Sequence, residues 1–373
     1  MLWYENIDVI DCFLVICWFL WVASIGIQLY FYFNYFIPFA RLSNSTAQHK
    51  PVPVSLIIAV KNEAQNLTNH LPLWIKQELV EFELIIVDDH SSDQTQSILQ
   101  SFNDERLQVY QLDNESGKKS AIQLAISKAS YNHLVFTDAD CVPSSDYWLV
   151  KMASNFTDDH QIVLGHSGYF KEHGFLNLLQ RFENTMVAAQ YFSFASKGNA
   201  YMGVGRNLAY TKTIFENSSV FNIHKNIRSG DDDLLVNEMA TSKNVALEWD
   251  EKAQTISRVS DNWMTYFQQK RRQLQAGEQY KRKHKFQLAT FGSSTLLLNI
   301  LTLILLYISE NFGTILMTFG LTLVLKSIIF NKISKKLSEQ NFIPWFWLLE
   351  FVLIISQTII GVSTWFWKVK RWK

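Results

Sequence analysis

Three groups of carboxylates stand where chemistry could be done. Asp138 and Asp140 lie in "LVFTDADCVP", residues 134–143; Asp88 and Asp89 lie in "LIIVDDHSSDQT"; Asp231, Asp232 and Asp233 lie in "SGDDDLLV". A carboxylate is costly to desolvate and is seldom fully buried without a partner. Residues two apart on a strand point to the same side. If the strand runs through "HLVFTDAD", Asp138 and Asp140 face one point and Ala139 turns away. A hard cation, Mg²⁺ or Mn²⁺, takes oxygen ligands and often bridges one or two carboxylates to phosphates. Such an ion would offset the cost of ending a buried strand on two acids. Three consecutive acids repel one another, and neighbouring charge raises a carboxylate pKa toward the range of a general base. The same triplet also suits the first turn of a helix over "LLVNEMA", where the dipole favours negative charge.

The elements that must position these acids follow from the pattern around them. Short apolar runs, "VSLIIAV", "FELIIVDD" and "HLVFTDAD", alternate with helix-like stretches such as "EAQNLTNHLPLWIKQ" and "SAIQLAISKAS". Continuous apolar strands divided by helices imply an α/β fold, a mostly parallel sheet covered on both faces. Such sheets bind ligands at the carboxyl ends of their strands. Each of the three runs ends in polar residues: Lys61, Asn62 and Glu63; Asp88 and Asp89; Asp138 and Asp140. The turn after the second strand assigns Ser92 and Asp93 to capping the helix "QTQSILQSF". "GVGRNL" at 203–208 is the Gly-rich candidate for a dinucleotide site, but it lacks the third small residue and follows no early strand. Lone histidines such as His166, His173 and His224 are expected to be structural or solvated.

The 373 residues exceed one small domain, and 34 basic residues balance 34 acidic ones, so nothing marks a nucleic-acid binder. Three cysteines, Cys12, Cys17 and Cys141, form neither a disulfide framework nor a zinc pattern. No residue between Asp11 and Arg41 is charged, and about Ile10 to Phe33 is long enough to span a bilayer. Acids precede it and Arg41, His49 and Lys50 follow it, which puts the middle of the chain, about Val52 to Lys285, in the cytosol. Residues 286–309 and about Phe312 to Phe330 repeat the membrane signal. Lys326, near the end of the second of these, is expected to snorkel toward headgroups. A last run, Phe351 to Trp367, is barely long enough to span. One span before the middle region and three after it put the C-terminus outside, whereas the basic tail "KVKRWK" belongs inside. The two signals leave open whether the last segment is re-entrant or interfacial, or the tail lies outside. The expected organisation is an anchor over 1–41, a cytosolic domain over 42–260, a basic interfacial segment over 261–285 and membrane helices over 286–373.

Six segments in order resemble family 2 glycosyltransferases of the GT-A fold, the group that includes cellulose, hyaluronan and dolichol-phosphate-mannose synthases. They are "SLIIAVKNEAQNL", "LIIVDDHSSDQT", "GKKSAIQLAI", "TDAD", "YMGVGRNLAY" and "SGDDDLLV". The likeness covers about residues 52–277 and ends in "QQKRRQLQAG", similar to a Gln-x-x-Arg-Trp motif with Gln269 and Arg272 in register and Gln273 in place of tryptophan. The resemblance implies a GT-A nucleotide-sugar-binding sheet with transmembrane helices at both ends. It implies Asp138 and Asp140 as ligands of Mg²⁺ or Mn²⁺. It implies a donor site of Glu63, Asp88, Asp89, Lys118, Asp138, Gln269, Arg271 and Arg272, with Asp88 and Asp89 on the nucleotide base. Arg206 and Asn207 fall on the acceptor side. Asp232 takes the base position and Asp231 the orienting position, with a one-residue slip to Asp233 open. Lys270, Arg271 and Arg272 suit either diphosphate oxygens or anionic lipid.

The function this implies is a metal-dependent, inverting transferase in a bacterial cell membrane, with its catalytic domain cytosolic. It would move sugar from a nucleotide-diphosphate donor to a lipid-linked or glycan acceptor at the membrane face. A processive polysaccharide synthase is the nearest variant, and the absent tryptophan and the few C-terminal spans weaken it. A non-catalytic membrane scaffold that kept the fold is the other reading, and retention of Asp138, Asp140 and the acidic triplet together weighs against it.

Overall fold

The computed structural model describes residues 9–43, 49–220, 230–340 and 342–366, apart from the side chains of residues 9, 10, 231, 365 and 366. His224 therefore lies outside the described residues. In chain order, α1 (Val9–Phe31) passes through a π-helical turn, Tyr32–Phe36, into α2 (Ile37–Arg41). Then come β1 (Val54–Val60), α3 (Ala64–Ile75), β2 (Phe82–Asp88), α4 (Thr95–Ser101), β3 (Leu107–Gln111), α5 (Lys118–Lys128) and β4 (His133–Phe136). Next are β5 (Val142–Pro143), α6 (Trp148–Ala153), β6 (Ile162–Gly165), β7 (Ser167–Tyr169) and the long α7 (Phe175–Ala195). They are followed by β8 (Leu208–Thr211), α8 (Lys212–Asn217), α9 (Asp231–Met239), β9 (Val245–Glu248), β10 (Thr255–Ser257) and α10 (Trp263–Gly277). The apolar helices α11 (Arg282–Ile308), α12 (Phe312–Lys336) and α13 (Phe346–Phe366) come last.

The three apolar runs become β1, β2 and β4, adjacent and parallel in a sheet of order β3-β2-β1-β4-β8-β6-β9. Their continuous hydrophobicity has a direct cause: both faces are covered. Leu56, Ile58, Leu84, Ile86 and Val135 pack with Leu67, Leu71 and Trp74 of α3. The alternate residues Ile57, Ile85, Val87 and Phe136 pack with Ala121 and Ala125 of α5 and into a larger cluster. That cluster continues through α7 into the membrane-flanking elements. Phe39 stacks on Phe192 at 5.4 Å, and Phe182 meets Phe330 at 5.2 Å. A second sheet, β5-β10-β7, crosses beside the carboxyl end of β4. The result is a mixed α/β domain with a mostly parallel sheet, joined to one long apolar helix near the N-terminus and three near the C-terminus. Four segments, Asp11–Arg41, Arg282–Ile308, Phe312–Lys336 and Ile343–Thr364, are long and apolar enough to cross a membrane.

Three expectations need correction. The strand carrying the acid pair stops at Phe136, so Asp138 and Asp140 sit in the loop beyond it and strand alternation does not set their direction. Lys326 does not snorkel: it is fully buried and its Nζ lies 2.7 Å from Glu350 Oε1 on α13. Glu350 also moves the start of the last apolar helix, which the sequence places at Phe351. A paired acid is tolerated inside the helix, which begins at Phe346 rather than Phe351. Removing one member of a buried pair strands the other charge and costs about 3–5 kcal/mol, whereas replacing both with apolar groups is often neutral. Lys326→Met is therefore expected to lower thermal stability in detergent sharply, and Lys326→Met with Glu350→Leu to recover it.

Candidate active site

The loop after β4, the N-terminus of α5, the turn before β8 and the N-terminus of α9 meet at the carboxyl end of the sheet. Each is there for a local reason. Gly117 precedes α5 at φ +106°, a backbone that L side chains rarely adopt, and so delivers Lys118 into the site. Lys118 Nζ lies 2.6 Å from Asp138 Oδ1. Gly230 starts α9 in the left-handed region at φ +86°. The first turn of α9 then aims Asp232 at the backbone N–H of Gly205, which donates to its Oδ2 at 2.5 Å. A Cβ on Gly205 would stand 2.9 Å from that oxygen, so the approach requires glycine. A Cβ on Gly230 would stand 2.7 Å from the Cβ of Ala276, besides forcing a left-handed backbone that costs about 1–2 kcal/mol. Gly230→Ala is expected to lower the melting temperature and displace Asp232, with turnover reduced; unchanged values of both would contradict this placement.

Lys118, Asp138, Gly205 and Asp232 line a cavity of about 430 Å³. The same cavity reaches Gln269 and Arg272 of α10, Asp233 and Tyr280, and then Leu288 of α11 and Gln357 and Ile360 of α13. Beneath Lys118, Asp138 and Asp232 a small pocket of about 20 Å³ runs down to Ile57 and Phe136 of the sheet.

Asp140 follows Asp138 after one residue and is partly open to solvent. The surrounding protein and then the charge of Asp138 raise its carboxyl above the ordinary value, with Glu63 adding to this and Arg206 opposing it. Among the described residues no group of three or more His, Cys, Asp and Glu side chains forms a metal site. Two hard oxygen donors near phosphates are nevertheless the usual protein share of a Mg²⁺ or Mn²⁺ site, so Asp138 and Asp140 fit that ion when a diphosphate supplies the remaining ligands. The carbonyl of Ala139, between them, is held by His70 Nδ1 of α3 at 2.9 Å.

Asp88 and Asp89 end β2, next to β1 and two strands from β4. Asp88 Oδ1 accepts from the N–H and hydroxyl of Ser91 at 3.1 and 2.5 Å. Its Oδ2 is buried with no hydrogen-bond partner among the described residues, an acceptor left over for a ligand. Asp89 pairs with Lys61 at 3.1 Å and His90 at 3.3 Å. Asp93 accepts from the N–H groups of Ala64 and Thr95, the capping work expected of it. Glu63 accepts from Asn66 Nδ2 at 2.6 Å.

Other expected residues separate. Arg206 spans Ser257 and Asn184 with its two terminal nitrogens, at 2.7 and 2.9 Å, and lies 4.5 Å from the Tyr169 ring centroid. Burial alone would lower it, but Tyr169, Cys141, Asp140 and Asp138 hold its pKa above the ordinary value, so it stays charged. His166 is buried nearby and pushed down to about 3, by burial first and then by Arg206. Asn207 does not face the cavity. Its amide donates to the carbonyls of His166 and Ala253 at 2.7 and 2.8 Å and accepts from Trp148 Nε1 at 3.0 Å, so the whole side chain is spent joining the two sheets. Gln269 and Arg272 line the cavity, with burial lowering the Arg272 pKa, but Arg271 between them does not. Lys270 also lines the cavity, where it pairs with buried Glu183 at 2.9 Å. The side chain of Asp231 lies outside the described residues. Asp233 Oδ2 accepts from the Tyr280 hydroxyl at 3.0 Å.

Glu183 is the residue that sequence reasoning missed. On α7 it accepts from the Tyr266 hydroxyl at 2.9 Å and from Lys270, and Gln357 Nε2 approaches it at 3.5 Å. The signal was an acid inside the apolar stretch "LLQRFENTMVAA". Its partners are 83 and 174 residues away, beyond the reach of local pattern.

Residues 55–218 match the family model described as "Glycosyl transferase family 2". The chain is 25% identical over 226 residues to the poly-beta-1,6-N-acetyl-D-glucosamine synthase of Staphylococcus epidermidis, covering 60% of this chain and 52% of the relative. It is 22% identical over 228 residues to the same-named protein of Staphylococcus aureus strain COL, again covering 60% and 52%. The chain spans about half the length of the curated relatives it matches. Among solved structures, it is similar to the mannosyltransferase PcManGT from Pyrobaculum calidifontis in complex with GDP-Man and Mn²⁺, with a TM-score of 0.62 at 15% identity, covering 94% of this chain and 98% of that one. That likeness extends the comparison of fold over the apolar helices as well. The family 2 match over residues 55–218 and the likeness to PcManGT over nearly the whole chain agree on one architecture, the fold of a GT-A glycosyltransferase.

Proposed function

We propose that this chain is a membrane-bound, inverting glycosyltransferase. It moves a sugar from a nucleotide-diphosphate donor to a lipid-linked or glycan acceptor at the cytosolic face of a bacterial cell membrane. The observation that carries the proposal is one cavity lined by Lys118, Asp138 and Asp232 at one end and by Leu288 and Ile360 of apolar helices at the other. A charged donor and an acceptor delivered from the membrane would meet there. The boundaries proposed for the parts are 1–41 for the anchor, 42–260 for the catalytic domain, 261–285 for the basic segment and 286–373 for the membrane helices.

Asp138 and Asp140 would hold Mg²⁺ or Mn²⁺, which when bound stabilises negative charge developing on the leaving diphosphate. Lys118 adds a positive charge beside Asp138, and Arg272 adds another across the cavity. The free Oδ2 of Asp88 suits an imide or amino N–H of a nucleotide base. Asp232 takes the acceptor hydroxyl proton. The Gly205 N–H fixes one of its oxygens, so the carboxylate is oriented before the acceptor arrives. Support for donor and ion comes from PcManGT, whose complex holds GDP-Man and Mn²⁺. A processive polysaccharide synthase is the second reading, favoured by the names of the staphylococcal relatives.

The test is a panel of nucleotide-diphosphate sugars offered to the purified chain in nanodiscs with a bacterial lipid extract. Release of nucleoside diphosphate from one donor, dependent on Mg²⁺ or Mn²⁺, is the expected result. Product length on a gel separates single transfer from polymerisation. No release from any donor would favour the non-catalytic scaffold.

A further inference from the structure

The last apolar helix behaves unlike the other three. α1, α11 and α12 touch the catalytic domain at one end, as where Phe31 stacks on Phe194 and Phe330 meets Phe182, and pack on one another at the other. Trp21 Nε1 of α1 donates to Thr302 Oγ1 of α11 at 2.8 Å, and Gln28 donates to Ser294 at 2.7 Å. A separate cluster of Cys17, Trp21, Leu298, Leu301, Leu305 and Ile315 joins these three helices, and among the described residues it contains none from α13.

α13 instead follows the domain along most of its length. Phe346 meets Phe182 of α7 and Phe330 of α12, with ring centroids 5.8 and 5.4 Å apart. One turn on, Glu350 pairs with Lys326. Further on, the Ser356 hydroxyl reaches the Tyr266 phenol of α10, and Gln357 reaches Glu183 of α7. Ile360 lines the catalytic cavity with Asp232. From Phe346 to Ile360 is about 21 Å at the rise of an α-helix.

The opposite side of α13 is apolar and exposed: Trp347 58%, Ile359 59% and Val362 46%. Glu350, Ser356 and Gln357 lie on the protein side, while the exposed Thr358 returns its hydroxyl to the Ile354 carbonyl of its own helix. A helix with protein on one side and acyl chains on the other needs no polar face toward water, which is why its composition passes for a span.

We propose that α13 does not cross the membrane. It lies in the bilayer interface on the side of the catalytic domain and forms the wall that separates the catalytic cavity from lipid. Three crossings, by α1, α11 and α12, then return the chain to the side of the domain. The basic tail "KVKRWK" falls where positive charge is favoured, which removes the conflict in the sequence. The proposal does not depend on the transfer chemistry, and its test reads no activity.

The full chain carries Cys12→Ser, since Cys17 and Cys141 are buried. Single cysteines are placed as Asn103→Cys in the domain, Glu310→Cys between α11 and α12, and Lys373→Cys at the tail. An impermeant maleimide applied to intact cells is expected to label Glu310→Cys, and to label Asn103→Cys and Lys373→Cys only after permeabilisation. Labelling of Lys373→Cys together with Glu310→Cys would overturn the proposal. A second measurement separates an interfacial helix from a re-entrant one. Bimane on Trp347→Cys and on Ile359→Cys, in phosphatidylcholine nanodiscs, is quenched by nitroxides placed near the headgroup or near the end of the acyl chain. Both sites are expected to be quenched more by the shallow nitroxide. Stronger quenching of Ile359→Cys by the deep one would overturn the flat placement, because a crossing helix would put the two sites about 18 Å apart in depth.

Discussion

Asp232→Asn lowers turnover by about 10²–10⁴, the usual contribution of a positioned general base. The geometry gives the reason. Asp232 stands at the rim shared by the large cavity and the pocket beneath Asp138, with one oxygen held by the Gly205 N–H. An asparagine keeps the shape and can keep that hydrogen bond through its carbonyl oxygen, but it cannot accept a proton from an acceptor hydroxyl. The neighbouring acid provides the control. Asp233 Oδ2 is engaged by the Tyr280 hydroxyl, so Asp233→Asn is expected to reduce turnover far less. Initial rates of nucleoside diphosphate release for the two variants check this. If Asp233→Asn loses turnover and Asp232→Asn keeps most of it, the base moves by one residue.

Asp138→Asn acts on a different quantity. It removes a charge from the proposed ion site and weakens the 2.6 Å ion pair with Lys118. Ion affinity falls with the lost carboxylate. Changing a residue that only hydrogen-bonds a metal ligand already costs about 10–100-fold in affinity, and losing a ligand itself should cost at least as much. The Mn²⁺ concentration for half-maximal turnover is therefore expected to rise by about 10–100-fold or more. Asp140→Asn should move the same titration in the same direction. A titration curve for Asp138→Asn that overlies the wild type would remove Asp138 from the site.

What the sequence made legible was whatever is written locally. Continuous apolar runs gave β1, β2 and β4, because a parallel sheet covered on both faces demands apolar residues at every position. Short-range spacing put Lys118, Asp138 and Asp232 on segments that the fold brings to one end of the sheet. What it could not show was which long-range partner each polar side chain finds. Asn207 sits in a segment that resembles an acceptor loop, yet its amide is consumed by His166, Ala253 and Trp148. Lys270 carries no local sign that its partner is Glu183, 87 residues away on α7. Lys326 looked like a snorkelling residue because its partner, Glu350, lies beyond a turn and on another helix. The strand end at Phe136 was misjudged for a related reason. The acids that follow take their direction from a loop held by His70 and Lys118, not from strand alternation.

The catalytic account rests on a division of labour inside one cavity: Asp138 holds the donor through an ion, and Asp232 handles the acceptor proton. Calorimetric titration of nucleoside diphosphate with Mn²⁺ into wild type, Asp138→Asn and Asp232→Asn, each in the same nanodiscs, tests that division most directly. The account predicts binding to wild type and Asp232→Asn with similar affinity, and weak or undetectable binding to Asp138→Asn. Equal affinity in all three proteins, or binding lost in Asp232→Asn and kept in Asp138→Asn, would contradict it.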